Sequence, residues 1–153
     1  MTLRKCAITL VIGVALGTTG CRDDQAPDEA QDLWTRIHDA KYQSWDRAPG
    51  YAARMPTSAP HSDAVEIFVN DVVQGALGGS AITAWPDGSI IAKDGYDSDG
   101  DLDIVAAMEK RGSEWFWVEW SADGESLYSG KPSICTDCHA PGADFVLAFG
   151  FPK

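Results

Sequence analysis

Glu114-Trp115-Phe116-Trp117-Val118-Glu119-Trp120 is the stretch that decides the fold. Aromatic and β-branched residues dominate it, and they suit a pleated, half-buried surface. Side chains alternate across a strand. Trp115, Trp117 and Glu119 therefore fall on one face, and Phe116, Val118 and Trp120 on the other. Ala122-Asp123-Gly124 then turns the chain.

Upstream, the same character returns. Val65-Glu66-Ile67-Phe68-Val69 reads as a strand. Ile82 to Trp85, the turn Pro86-Asp87-Gly88 and the run Ser89 to Lys93 read together as a hairpin. Leu102 to Met108 is a further strand candidate, although Ala106 and Ala107 also suit a helix. Residues 31–46 read as a helix, with Leu33, Trp34, Ile37 and Trp45 on an apolar stripe. Residues 47–62 hold Pro49, Gly50, Pro56 and Pro60 and read as a loop; Ser126 to Ser133 is loop-like. Asp97-Ser98-Asp99-Gly100-Asp101-Leu102-Asp103 reads as an acidic turn. A calcium loop of the EF-hand kind would need Gly and Glu where Leu102 and Met108 stand. The expected fold is mainly β (α+β): a small antiparallel sheet with one N-terminal helix and a C-terminal attachment segment.

With 153 residues, the chain has room for one domain with a real core, and at 44% hydrophobic it is expected to fold. Its net charge is −11, with no Lys/Arg cluster. Such a surface repels phosphate backbones, so nucleic acid is not an expected partner. Residues 1–20 read as a lipoprotein signal peptide. Arg4 and Lys5 open it, Ala7 to Leu16 is apolar but too short to span a bilayer, and Gly17 to Gly20 are small. Leu16 to Cys21 resembles a bacterial lipobox, with Thr18 where Leu or Val is usual, and makes Cys21 the lipidation candidate; plain secretion is the alternative. Two or three acyl chains would anchor the protein durably. Arg22 after the cysteine points to the outer membrane. Residues 21–30 read as an acidic tether and 31–153 as the folded domain. Removing residues 1–20 takes two positive charges from −11 and leaves −13. The mature protein is expected on the periplasmic side, where conditions are oxidising.

Of the four cysteines, Cys6 leaves with the leader and Cys21 is the anchor candidate, so Cys135 and Cys138 remain. Cys135-Thr136-Asp137-Cys138-His139 is the spacing of c-type haem attachment. Two thiols add across the vinyl groups of one porphyrin, and the adjacent His139 falls beneath the iron as proximal ligand. Three alternatives compete. A structural disulfide would not need the histidine. A thioredoxin-type pair would want a preceding strand and a helix starting at the motif, in a βαβ setting. A zinc site needs four ligands, and the other histidines are only His38 and His61. The fourteen residues printed after His139 hold no Met or His. A sixth ligand is therefore expected from upstream, or the iron is five-coordinate and open to small molecules.

Several ordered pieces resemble the cytochrome P-460 family, which includes the β-sheet cytochromes c-prime. They are Pro60-His61 followed by Val65 to Asn70, Pro86 to Lys93, Met108 with Trp115-Phe116-Trp117, and Cys135 to His139 followed by Asp144-Phe145-Val146. The likeness spans roughly residues 59–152. It implies an antiparallel β fold, a homodimer and one covalent haem c with an open distal side. It also singles out Lys93. In the name-giving members the matching lysine is bonded to the porphyrin edge, and these oxidise hydroxylamine. The c-prime relatives lack that bond and bind nitric oxide or carbon monoxide. By position alone, Lys93 is a surface lysine at a strand end. The distal carboxylate of the hydroxylamine-oxidising members has no clear match here; the region falls around Val105. Without a positioned base such chemistry loses roughly 10²–10⁴-fold.

Other residues carry two readings each. Met108 either faces the iron or fills the core. His61 is a distal base, a sixth ligand, or a cap on the strand start. One of Trp115 or Trp117 packs on the porphyrin. The remaining tryptophans are core and dimer-interface material, and His38 faces solvent. Two functions follow. The first is an open haem site that binds or oxidises nitric oxide or hydroxylamine. The second is a membrane-anchored electron carrier whose acidic surface suits a basic redox partner. A third, non-haem reading is an interaction protein with a Cys135–Cys138 disulfide.

Overall fold

The computed structural model describes residues 25–57, 60–78 and 82–148. Residues 1–20, read as a signal peptide, the anchor candidate Cys21 and residues 149–153 lie outside the described residues. The elements run α1 (Pro27–Asp39), a 3₁₀ turn (Tyr42–Ser44), β1 (Asp46–Arg47), β2 (Met55–Pro56), β3 (Ala64–Val69), α2 (Asp71–Leu77), β4 (Ile90–Tyr96), β5 (Leu102–Arg111), β6 (Glu114–Ser121), β7 (Ser126–Gly130) and α3 (Ser133–His139). The strands form one antiparallel sheet ordered β1-β3-β4-β5-β6-β7, with β2 also paired to β3. The fold is mixed α+β and mainly β, as expected. Among the described residues no helix is long and apolar enough to cross a membrane.

The alternation along β6 holds residue by residue. Phe116, Val118 and Trp120 join Phe68, Ala92, Val105 and Ala107 in a core covered by α1 through Ala30, Leu33 and Ile37. Trp115 and Trp117 join Val65, Ile67, Val69, Ile91 and Met108 in a second core on the opposite face. A salt bridge from Arg36 to the buried Glu109, 2.8 Å, ties α1 to the sheet. Each large apolar side chain fully buried here stabilises the fold by roughly 1.5–3 kcal/mol.

Several boundaries differ from the sequence reading. The helix starts at Pro27, inside the stretch read as tether, because Pro suits a first helical turn and Asp28 and Glu29 complement the helix dipole. It ends at Asp39. Trp45 therefore reaches the same core from after the 3₁₀ turn, not from the helix stripe. β1 straddles the end of the 31–46 helix reading and the start of the 47–62 loop, β2 lies inside that loop, and both pair with β3. Ile82 to Trp85 is not a strand: Trp85 is buried, but its backbone N–H donates to Asp144 at 2.8 Å instead of entering a ladder. Pro86-Asp87-Gly88 still turns into β4, which runs past Lys93 to Tyr96 and pairs with β3 and β5. The helix α2 was not anticipated. Asn70 caps it by accepting from the Val73 N–H, a cap visible in the sequence only as a polar residue after a strand. Leu102 to Met108 is strand, and Ser126–Gly130 is strand rather than loop. The acidic segment 97–103 is a turn in which Asp97 accepts from the N–H groups of Asp99 and Asp101.

Candidate functional site

Between the second core face and the chain after β7 lies a cavity of about 420 Å³. That is within the range of small-molecule and cofactor sites. Its floor is apolar, from Ile67, Ile91, Met108 and Trp117, and its opposite wall carries Cys135, Cys138 and His139. Antiparallel register explains its polar row. Ile67 faces Lys93, Lys93 faces Ala106, Ala106 faces Glu119, and Glu119 faces Tyr128. Directly opposed residues share a face, so Lys93 and Glu119 both project to the cavity side with only the small Ala106 between them.

Lys93 is thus mid-strand and faces the cavity; the surface-lysine reading is overturned. It is half-buried and has no hydrogen-bond or ion-pair partner among the described residues. Burial pushes its ammonium down to about 8, against the opposing pull of the Glu119 carboxylate and the Cys138 thiol. Val105 belongs to the other core, and its neighbour Ala106, which does face the cavity, carries no carboxylate. The carboxylate that lines it is Glu119. Its Oε2 accepts from His61 Nδ1 at 2.9 Å. His61 therefore does not cap β3; its ring reaches across to β6. Strand parity already put Glu119 on the Trp117 face. What the sequence hid was the partner, 58 residues away. Met108 is buried in the floor opposite Trp117. Trp117 lies 4.8 Å from the His139 ring, centroid to centroid, whereas Trp115 donates its indole N–H to the Asp144 carbonyl. His38 is exposed, on the far face, stacked on Trp34.

The motif itself sits on α3. Cys135 and Cys138 are free thiols, the first half-buried and the second exposed. His139 Nδ1 lies 2.9 Å from the Phe145 carbonyl. A carbonyl only accepts, so Nδ1 carries the proton and Nε2 keeps its lone pair when the ring is neutral. Burial holds the His139 pKa below its ordinary value, which favours that neutral ring. This is the arrangement of a metal-ligating histidine, whose second nitrogen is usually fixed by a carbonyl or carboxylate.

The remaining motif readings separate on geometry. β7 leads into α3, so the loop-like approach that spoke against a thioredoxin-type pair is corrected. The sheet is nevertheless antiparallel, and burial pushes the Cys135 thiol up to about 11, the wrong direction for a reactive thiolate. Among the described residues, no group of three or more His, Cys, Asp and Glu is placed to hold a bare metal ion. The residues do fit a haem c: two thiols, a pre-set imidazole and an apolar cavity on one side of them. No family model matches the chain, and no curated protein matches it.

Proposed function

We propose that the protein is a mono-haem c protein of the cytochrome P-460 kind, whose cavity binds or oxidises small nitrogen compounds such as nitric oxide and hydroxylamine. The observation that carries it is the convergence of Cys135, Cys138 and His139 on the same cavity as Lys93 and the His61–Glu119 pair. Cys135 and Cys138 would hold the porphyrin covalently, and His139 Nε2 would ligate the iron. A bound haem supplies an iron that takes electrons and a small ligand. The chain does the rest. Ile67, Ile91, Met108 and Trp117 give the cavity an apolar wall on which a porphyrin face would pack. Lys93, with its pKa near 8, holds an amine that is partly neutral close to neutral pH, suited to bonding or polarising a porphyrin edge. Glu119 Oε2 and His61 can hold and exchange a proton, the task of a general base in hydroxylamine oxidation.

Expression with the haem-attachment machinery tests this reading. The full chain is expected to stain for haem on a denaturing gel, and the Cys135→Ser/Cys138→Ser variant is not. Anaerobic titration with nitric oxide should change the spectrum of the reduced protein; an unchanged spectrum removes the open-site reading. A strongly red-shifted, broad Soret band would assign the Lys93 bond and put hydroxylamine oxidation first.

One observation favours the electron-carrier reading. The His61 and His139 rings are 6.4 Å apart, and His61 has a second nitrogen beyond the one that meets Glu119. A six-coordinate, low-spin spectrum in both oxidation states would select it. The leader and Cys21 support lipid anchoring on the periplasmic side, at the outer membrane. The family resemblance supports a homodimer, and the acidic surface supports a basic redox partner.

A further inference from the structure

The segment that fixes His139 is itself held by an unusual set of bonds. Asp144 and Phe145 both adopt left-handed backbone, φ 47° and 67°. Asp tolerates this region, but for a bulky Phe it is strained and persists only where the surroundings over-determine it. They do so here. Asp144 accepts from Lys110 Nζ on both carboxylate oxygens, at 2.9 and 2.7 Å. It also accepts from the Trp85 N–H at 2.8 Å, and its carbonyl accepts from the Trp115 indole at 2.7 Å. Lys110 is 3% exposed, and its ammonium also donates to the Ser113 carbonyl at 3.0 Å. Gly142 closes the loop: a Cβ there would lie 2.5 Å from the Val146 oxygen.

We infer that the Lys110–Asp144 pair, with its lysine buried, is a positioning device for His139: it forces the 142–146 loop into the strained shape that presents the Phe145 carbonyl to His139 Nδ1. The inference rests on the haem reading above and extends it. A buried ion pair is a poor source of net stability compared with apolar side chains of like volume. Its value here is geometric. Lys110 lies on β5 and Trp115 on β6, so the sheet dictates where the carbonyl points. A carbonyl bonded to Nδ1–H makes Nε2 more electron-rich and keeps the ring from rotating. Asp144 and Lys110 do not line the cavity, so they act through His139.

The test compares the full haem-loaded chain with Asp144→Asn and with the double variant Asp144→Asn/Lys110→Met. The double variant leaves no buried lysine without its counter-charge, so it keeps the fold testable. Both are expected to stain for haem on a denaturing gel. Their iron–histidine stretching band, read by resonance Raman in the ferrous state, is expected to shift to lower frequency and broaden, and the reduction potential to rise. The Phe145 and Val146 amides, bonded now to the Gly142 and Ala143 carbonyls, should exchange with solvent roughly tenfold faster or more. An unchanged band, potential and amide exchange in stained double variant overturns the positioning role. No staining of the unsubstituted chain overturns the haem reading instead.

Discussion

The two faces of one sheet have different fates. Under α1, Phe116, Val118 and Trp120 meet Leu33, Ile37 and Phe68, and all of these side chains are buried. Under the chain after β7, Trp117, Met108 and Ile67 meet a short helix and a strapped loop, and about 420 Å³ is left. A long amphipathic helix supplies enough side chains to close a sheet face. A seven-residue helix with no buried residue does not. The contrast is sharpest at two neighbours on β4. Asp94 points to the closed face, is fully buried, and accepts from Tyr42 at 2.6 Å and Gln43 at 2.7 Å. Lys93 points the other way, into the cavity, with no hydrogen-bond or ion-pair partner among the described residues.

The largest expected effect sits on the closed face. Trp120→Ala should cost about 3–5 kcal/mol, whereas Trp117→Ala, bordering space already empty, should cost about 1–3 kcal/mol. Urea unfolding of the protein made without haem-attachment machinery measures both. Equal losses would break the comparison. Next, Asp94→Ala strands the buried Tyr42 hydroxyl inside the closed face and should cost roughly 1–3 kcal/mol.

Its neighbour should behave oppositely. Burial holds Lys93 near 8 in the folded chain against an ordinary 10.5. Between those values the unfolded chain binds more protons, so stability rises with pH across that window. Lys93→Met should therefore stabilise the protein at pH 7 by on the order of 1–2 kcal/mol. The gain should shrink as pH rises through 8 and vanish above the ordinary lysine value. A pH-independent gain would mean that Lys93 is not desolvated. Smallest of all, Ile134→Ser at the exposed rim should change the unfolding free energy by less than about 0.5 kcal/mol, because Ile134 is 61% exposed.

Most of the sheet was legible because its signals are local. Alternation in β6 assigned every residue to its observed face, and the runs at β3, β4 and β5 survive with longer ends. Two of the misses share one cause. Ile82 to Trp85 looks like a strand, but Trp85 is recruited by Asp144, 59 residues away. Ser126–Gly130 looks like a loop, yet β6 offers it a free edge to pair with. At the site, the Cys135, Cys138 and His139 spacing is readable in a line. The His61–Glu119 pair and the Lys110–Asp144 clamp join residues 58 and 34 apart, and no local pattern marks them.

The sequence by itself determined which residues alternate inward, where the thiols and imidazole stand relative to one another, and the acidic charge of the surface. These depend on bond geometry and composition over a few residues. Only the tertiary structure decided that one face closes and the other stays open, that Lys93 enters the cavity, and that Phe145 holds His139. Those outcomes depend on antiparallel register and on long-range partners, whose distances are set only once the chain has folded back on itself.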